Sequence, residues 1–77
     1  MSKLSSRLIE LQELKGVLKK DIAQAIGIST MAYYRYEQGL REPDANVLHL
    51  MADYFGVSVD FLLGRTDDPQ LHTLDEK

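Results

Sequence analysis

Five glycines, at positions 16, 27, 39, 56 and 64, most constrain what this chain can become. Each closes a stretch whose apolar residues recur at helical spacing. Glycine enters the left-handed backbone region without a Cβ penalty, so it is the usual residue just past a helix end. Five such stops in 77 residues predict five short helices. No alternating apolar and polar run is long enough to predict a strand.

The first helix is predicted over 4–14. Leu4, Leu8 and Leu11 line one face, and Ile9 and Leu14 fall off it. The second covers 19–26 with Ile22, Ala23 and Ile26 inward. It has no good N-cap, because Leu18 stands where Ser, Thr or Asp is preferred. The third covers 30–38. Ser29 is its expected N-cap, and Tyr33 and Tyr36 share its inner face. Pro43 disfavours helix at Glu42, which leaves a loop after Gly39. Asp44 is placed to cap a fourth helix over 45–55, with Leu48, Met51, Ala52 and Phe55 inward and Leu50 exposed. A short fifth helix begins at Ser58 or Val59, with Phe61, Leu62 and Leu63 packing back. From Arg65 the chain is polar and acidic and is expected to fray. The expected organisation is one all-α domain over 1–66 and an acidic flexible tail over 67–77.

Composition narrows the function classes. The absence of cysteine removes disulfides and thiolate metal sites. An apolar fraction of 44% suits a packed core. No apolar run approaches the ~20 residues of a membrane span, and the first residues are too polar for a signal peptide. A cytoplasmic protein without a membrane partner is expected. Histidine occurs only at 49, on the fourth helix at partial exposure, and at 72, in the tail; no metal spacing, Ser/His/Asp set, phosphate loop or dinucleotide fingerprint accompanies them. The expectation is no enzyme, no cofactor, no metal and no small-molecule ligand.

The net charge of −3 is unevenly spread. Residues 1–41 carry seven basic and four acidic side chains, a local +3, while 42–77 carry two basic and eight acidic, a local −6. A basic half can meet nucleic acid even when the whole chain is acidic.

The second and third helices are joined only by Gly27, Ile28 and Ser29. Two helices of about eight residues on so short a turn must cross steeply. Ala23 permits close approach, Gly27 the sharp turn, and Ile28 and Tyr33 the anchoring of that turn in the core. An ordinary corner of a helical bundle meets the same requirements.

At this point the chain resembles the Cro/CI-type (XRE-like) helix-turn-helix family of bacterial and phage transcriptional regulators. The resemblance rests on RLIELQELKG (7–16), DIAQAIGIS (21–29), YRYEQGLREP (34–43) and LMADYFGVSVDFLLGRTD (50–67), in that order and spacing. It implies a compact five-helix, lambda-repressor-like DNA-binding domain whose third helix lies in the major groove. Carried onto this sequence, the base-contacting positions are Ser29, Thr30, Met31, Tyr34 and Arg35. Arg35 can present two donors to guanine, Thr30 a hydroxyl or a methyl, Met31 an apolar surface, and Tyr34 a hydroxyl to base or phosphate. The phosphate-contacting positions are Lys19, Lys20, Gln38, Gly39, Leu40 and Arg41, together with the N-terminus of the second helix.

The sequence departs from the family at two places. Gln12 stands where many relatives carry an arginine paired with the acid at Glu37, so Glu37 is expected either to take a neutral hydrogen bond from Gln12 or to face water. The second departure is the apolar residue, Leu18, at the N-cap position of the second helix; Lys19 also stands where relatives often carry glutamine, and as a charge it can still hold a phosphate. The resemblance further implies a double-stranded DNA operator and a homodimer, with Leu50, Tyr54, Val59 and Phe61 as candidates for the two-fold surface. A repressor of phage or mobile-element type is expected; the sequence ending soon after the fifth helix favours a short regulator whose occupancy is set by its own concentration. An antitoxin-like or restriction-modification controller is also compatible. A protein-interaction module using Ile9, Leu14, Leu50 and Tyr34 is the competing class.

Overall fold

The computed structural model describes residues 3–70. It contains five helices: α1 (Lys3–Lys15), α2 (Lys19–Ile26), α3 (Thr30–Glu37), α4 (Ala45–Phe55) and α5 (Val59–Leu62). No strand occurs among the described residues. The all-α expectation holds, and α2 and α4 have the predicted bounds. Helix α3 ends one residue early, with Gln38 as its C-cap.

Side-chain caps start three of these helices. Ser29 Oγ accepts from the Ala32 N–H at 3.0 Å, Asp44 Oδ1 from Val47 at 2.9 Å, and Ser58 Oγ from Phe61 at 3.0 Å. Helix α2 begins at Leu18 with no side-chain cap. It ends at Gly27 with φ 83°, whose N–H donates to the Ala23 carbonyl at 2.9 Å. The following amide, of Ile28, also donates to the Ala23 carbonyl at 2.9 Å, which fixes the chain reversal into α3.

The core is one cluster. Leu4 and Leu8 of α1, Ile22, Ala23 and Ile26 of α2, Tyr33 and Tyr36 of α3, Met51 and Ala52 of α4, and Val57 and Leu62 are buried together. Leu8, Ile22, Tyr33, Met51 and Leu62 are fully enclosed. Burying each aliphatic side chain of that size stabilises by roughly 1.5–3 kcal/mol. Helix α3 packs against α1 and α2, α2 also against α4, and α5 against α1 and α4.

Several side chains differ from their predicted surroundings. Ile9 is half-buried, so it is a poor exposed contact, and His49 is exposed. Leu63 is only half-buried. Tyr54, Val59 and Phe61 pack against the core cluster, whereas Leu50 remains 40% exposed. Beyond α5, the Arg7 guanidinium pairs with Asp67 at 2.9 Å and lies 3.8 Å over the Phe61 ring. The Ser58 N–H donates to the Pro69 carbonyl at 3.1 Å. Residues 65–70 are thus tied to the helical body; the rest of the predicted tail, including His72, lies outside the described residues.

Candidate nucleic-acid interface

Helix α3 has two unlike faces. Tyr33, Tyr36 and Glu37 are buried. Thr30, Met31, Tyr34 and Arg35 lie on the opposite side and are exposed, Met31 at 57% and Tyr34 at 43%. With Ser29 and Gln38 they form a continuous solvent-facing ridge along the helix. All five residues predicted to contact bases therefore stand together on this ridge. Ser29 also serves as the cap, so its hydroxyl oxygen is engaged while its proton remains able to donate.

Of the predicted phosphate contacts, Gln38 stands on the ridge and the others belong to the loop after α3 and the start of α2. Gly39, Leu40 and Arg41 are exposed in the loop after α3, with Leu40 at 73%. Lys20 is exposed at the first turn of α2. That turn lacks a side-chain cap, and its Asp21 and Ile22 amides donate to the Leu18 carbonyl at 3.0 and 3.2 Å.

Lys19, at the same turn, is engaged within the protein. Its Nζ is 3.2 Å from Glu37 Oε1 and donates to Gln12 Oε1 at 3.2 Å. Gln12 Nε2 in turn donates to the Val17 carbonyl at 3.1 Å. The expectation for Glu37 is corrected here. Its carboxylate neither faces water nor bonds to Gln12: the side chain is 3% exposed and ion-paired, and the cation comes from α2. The residue is held from a second side, because the Ser5 hydroxyl donates to the Glu37 backbone carbonyl. Ser5 escaped sequence reasoning; the only signal was a small polar residue next to Leu4 on the inward face of α1.

These pairings revise the charge balance. Arg7 and Lys19 both belong to the local +3, yet both are committed within the protein. Lys20, Arg35 and Arg41 are the exposed cations at the ridge and its flanks. The Tyr33 phenol is buried, and that burial, together with the Glu37 charge one turn away, pushes its pKa well up. It is a neutral core group. Among the described residues, no set of three or more His, Cys, Asp or Glu side chains is arranged to hold a metal ion. No helix there is long and apolar enough to cross a membrane.

The profile of the helix-turn-helix family matches residues 8–62, which span α2, α3 and most of the core. Among curated proteins, the chain is 36% identical over 63 residues to the uncharacterized HTH-type transcriptional regulator YobD of Bacillus subtilis, covering 82% of this chain and 56% of that protein. It is 38% identical over 64 residues to the HTH-type transcriptional regulator AnsR of the same organism, covering 83% and 55%. It is also 38% identical over 60 residues to the SPbeta prophage-derived uncharacterized HTH-type transcriptional regulator YonR, covering 78% and 56%. The chain spans about half the length of the curated relatives it matches.

Proposed function

Because the chain belongs to the XRE-type helix-turn-helix family of transcriptional regulators, we propose that it binds double-stranded DNA in a sequence-specific way, with α3 in the major groove. The observation that carries this reading is the division of α3 into a sealed face and an exposed one. A helix held by three buried side chains presents its outer residues in a fixed orientation, as base recognition requires. Arg35 supplies the strongest base contact, and Thr30, Met31 and Tyr34 shape the rest of the half-site. Ser29 donates from the start of the helix. Lys20, Arg41 and the leading amides of α2 meet phosphates, with Gln38, Gly39 and Leu40 beside them.

Three exposed cations, Lys20, Arg35 and Arg41, are few for the DNA face of one subunit. A two-fold dimer doubles both the charge and the base contacts, and it turns a short half-site into an operator. Leu50 is the exposed apolar residue of α4 best suited to that surface. The biological role that fits is a repressor of phage or mobile-element type acting in the cytoplasm. One of the similar proteins is described as prophage-derived. Antitoxin-like and controller-type regulators would use the same face.

Selection from a random duplex library tests the proposal. The bound pool should converge on one palindromic sequence, and affinity should fall steeply as salt rises from about 50 to 200 mM. A protein-interaction module would instead use Leu14, 83% exposed, with Leu50 and Tyr34. It would enrich no duplex, and its partner contact would be nearly indifferent to salt.

A further inference from the structure

Lys19 is the first residue of α2, beside Lys20, where a lysine invites assignment as a phosphate contact. Its surroundings argue for a different role. The ammonium is within 3.2 Å of both Glu37 Oε1 and Gln12 Oε1, and the Lys19 side chain is only 37% exposed. Glu37 is 2% exposed, and its second oxygen, Oε2, has no hydrogen-bond partner among the described residues. A buried carboxylate in that position depends heavily on the one cation beside it. Glu37 is also the last residue of α3, and its backbone carbonyl is gripped by Ser5. A cleft of about 450 Å³ lined by Gln12, Val17, Lys19, Glu37 and Gln38 opens beside the pair.

We propose that Lys19 is a positioning residue: through Glu37 it ties the start of α2 to the end of α3 and so sets how the outer face of α3 meets the groove. Phosphate neutralisation falls to Lys20 and Arg41. The proposal rests on the DNA-binding reading for its consequence, but the tie itself is a property of the free protein. It also makes the source of the cation exchangeable. Gln12 already touches the Lys19 ammonium, and the cleft leaves room for a longer side chain, so an arginine at position 12 can take over the partnership with Glu37.

Four variants of the full chain test this: Lys19→Met, Glu37→Gln, the double variant, and Lys19→Met combined with Gln12→Arg. Urea unfolding comes first. Lys19→Met should lower the folding equilibrium constant about tenfold. The double variant should be no less stable than Lys19→Met alone, and Gln12→Arg should recover most of the loss. Strictly additive losses with no recovery would overturn the tie.

Duplex binding from about 50 to 200 mM salt comes second, on a sequence selected by the unmodified protein. Lys19→Met should weaken binding about tenfold at every salt concentration with an unchanged slope of log K against log salt, and Gln12→Arg should restore the affinity. Glu37→Gln removes a negative charge, yet should weaken binding severalfold because α3 loses its anchor. A direct phosphate role for Lys19 predicts the opposite: a slope smaller by about 0.9 for Lys19→Met, tighter binding by Glu37→Gln as the lysine is released, and no rescue from position 12. Those results would refute the proposal. If the unmodified protein selects no duplex at all, the DNA reading fails by itself, and the urea cycle still decides whether Lys19 anchors α3.

Discussion

On α3, Tyr33, Tyr36 and Glu37 are sealed inside the protein, while Thr30, Met31, Tyr34 and Arg35 of the same eight-residue helix stand in solvent. The sealed face is held by unlike contacts: two aromatic rings in the core, a hydroxyl on a main-chain carbonyl, and an ion pair from α2. The open face leaves its side chains exposed. Changes to the sealed face should therefore alter stability and recognition together, whereas changes to the open face should alter recognition alone.

Substitutions can break or sharpen that contrast. The largest effect is expected from Tyr33→Ala, which empties the centre of the sealed face and should cost about 3–5 kcal/mol in urea unfolding. A loss under 1 kcal/mol would mean that α3 is not anchored there. On the open face, Arg35→Ala should cost about 1–3 kcal/mol of specific binding and leave stability within about 0.5 kcal/mol of the parent. Binding titrations and urea melts on the same sample separate the two quantities. A stability loss as large as the binding loss would erase the distinction between the faces.

The turn that sets α3 against α2 is tested by Gly27→Ala. A Cβ there meets open space, but φ 83° is strained for alanine. A loss of about 1–2 kcal/mol is expected from backbone strain alone, read as a lowered melting temperature. The smallest effect belongs to Tyr33→Phe. The Tyr33 hydroxyl is buried with no hydrogen-bond partner among the described residues, so its removal should be close to neutral near pH 7. Alkali should then distinguish the two proteins. The folded phenol has a pKa above its ordinary 10.0, so its contribution is intact below pH 10 and is lost as pH rises beyond it, when the unfolded chain ionises first. Stability above pH 10 should fall less steeply for Tyr33→Phe than for the parent.

The same contrast explains what was legible in the sequence. Helices α2 and α4 carry clear apolar stripes with a glycine stop, and their bounds follow from periodicity and capping alone. Helix α3 has little amphipathic contrast: its buried face holds two tyrosines and a glutamate, and its open face holds Met31 and Tyr34. Spacing from Ser29 located the helix, and the three-residue turn oriented it. The network around Glu37 was not legible, because periodicity within one helix cannot show that Lys19 and Gln12, from two other helices, converge on it. Charge counting overstated the open face for the same reason: the partners of Arg7 and Lys19 are far away in sequence or on another element.

The central claim is that the outer face of α3 reads DNA, and the most direct measurement is a paired selection from one random duplex library with the parent and Arg35→Ala. The account predicts that the parent enriches a palindrome with half-sites about one helical turn apart, and that Arg35→Ala stays folded but relaxes the preference at one position in each half-site. Enrichment of the same sequence with the same discrimination by both proteins, or of no sequence by the parent, would contradict it.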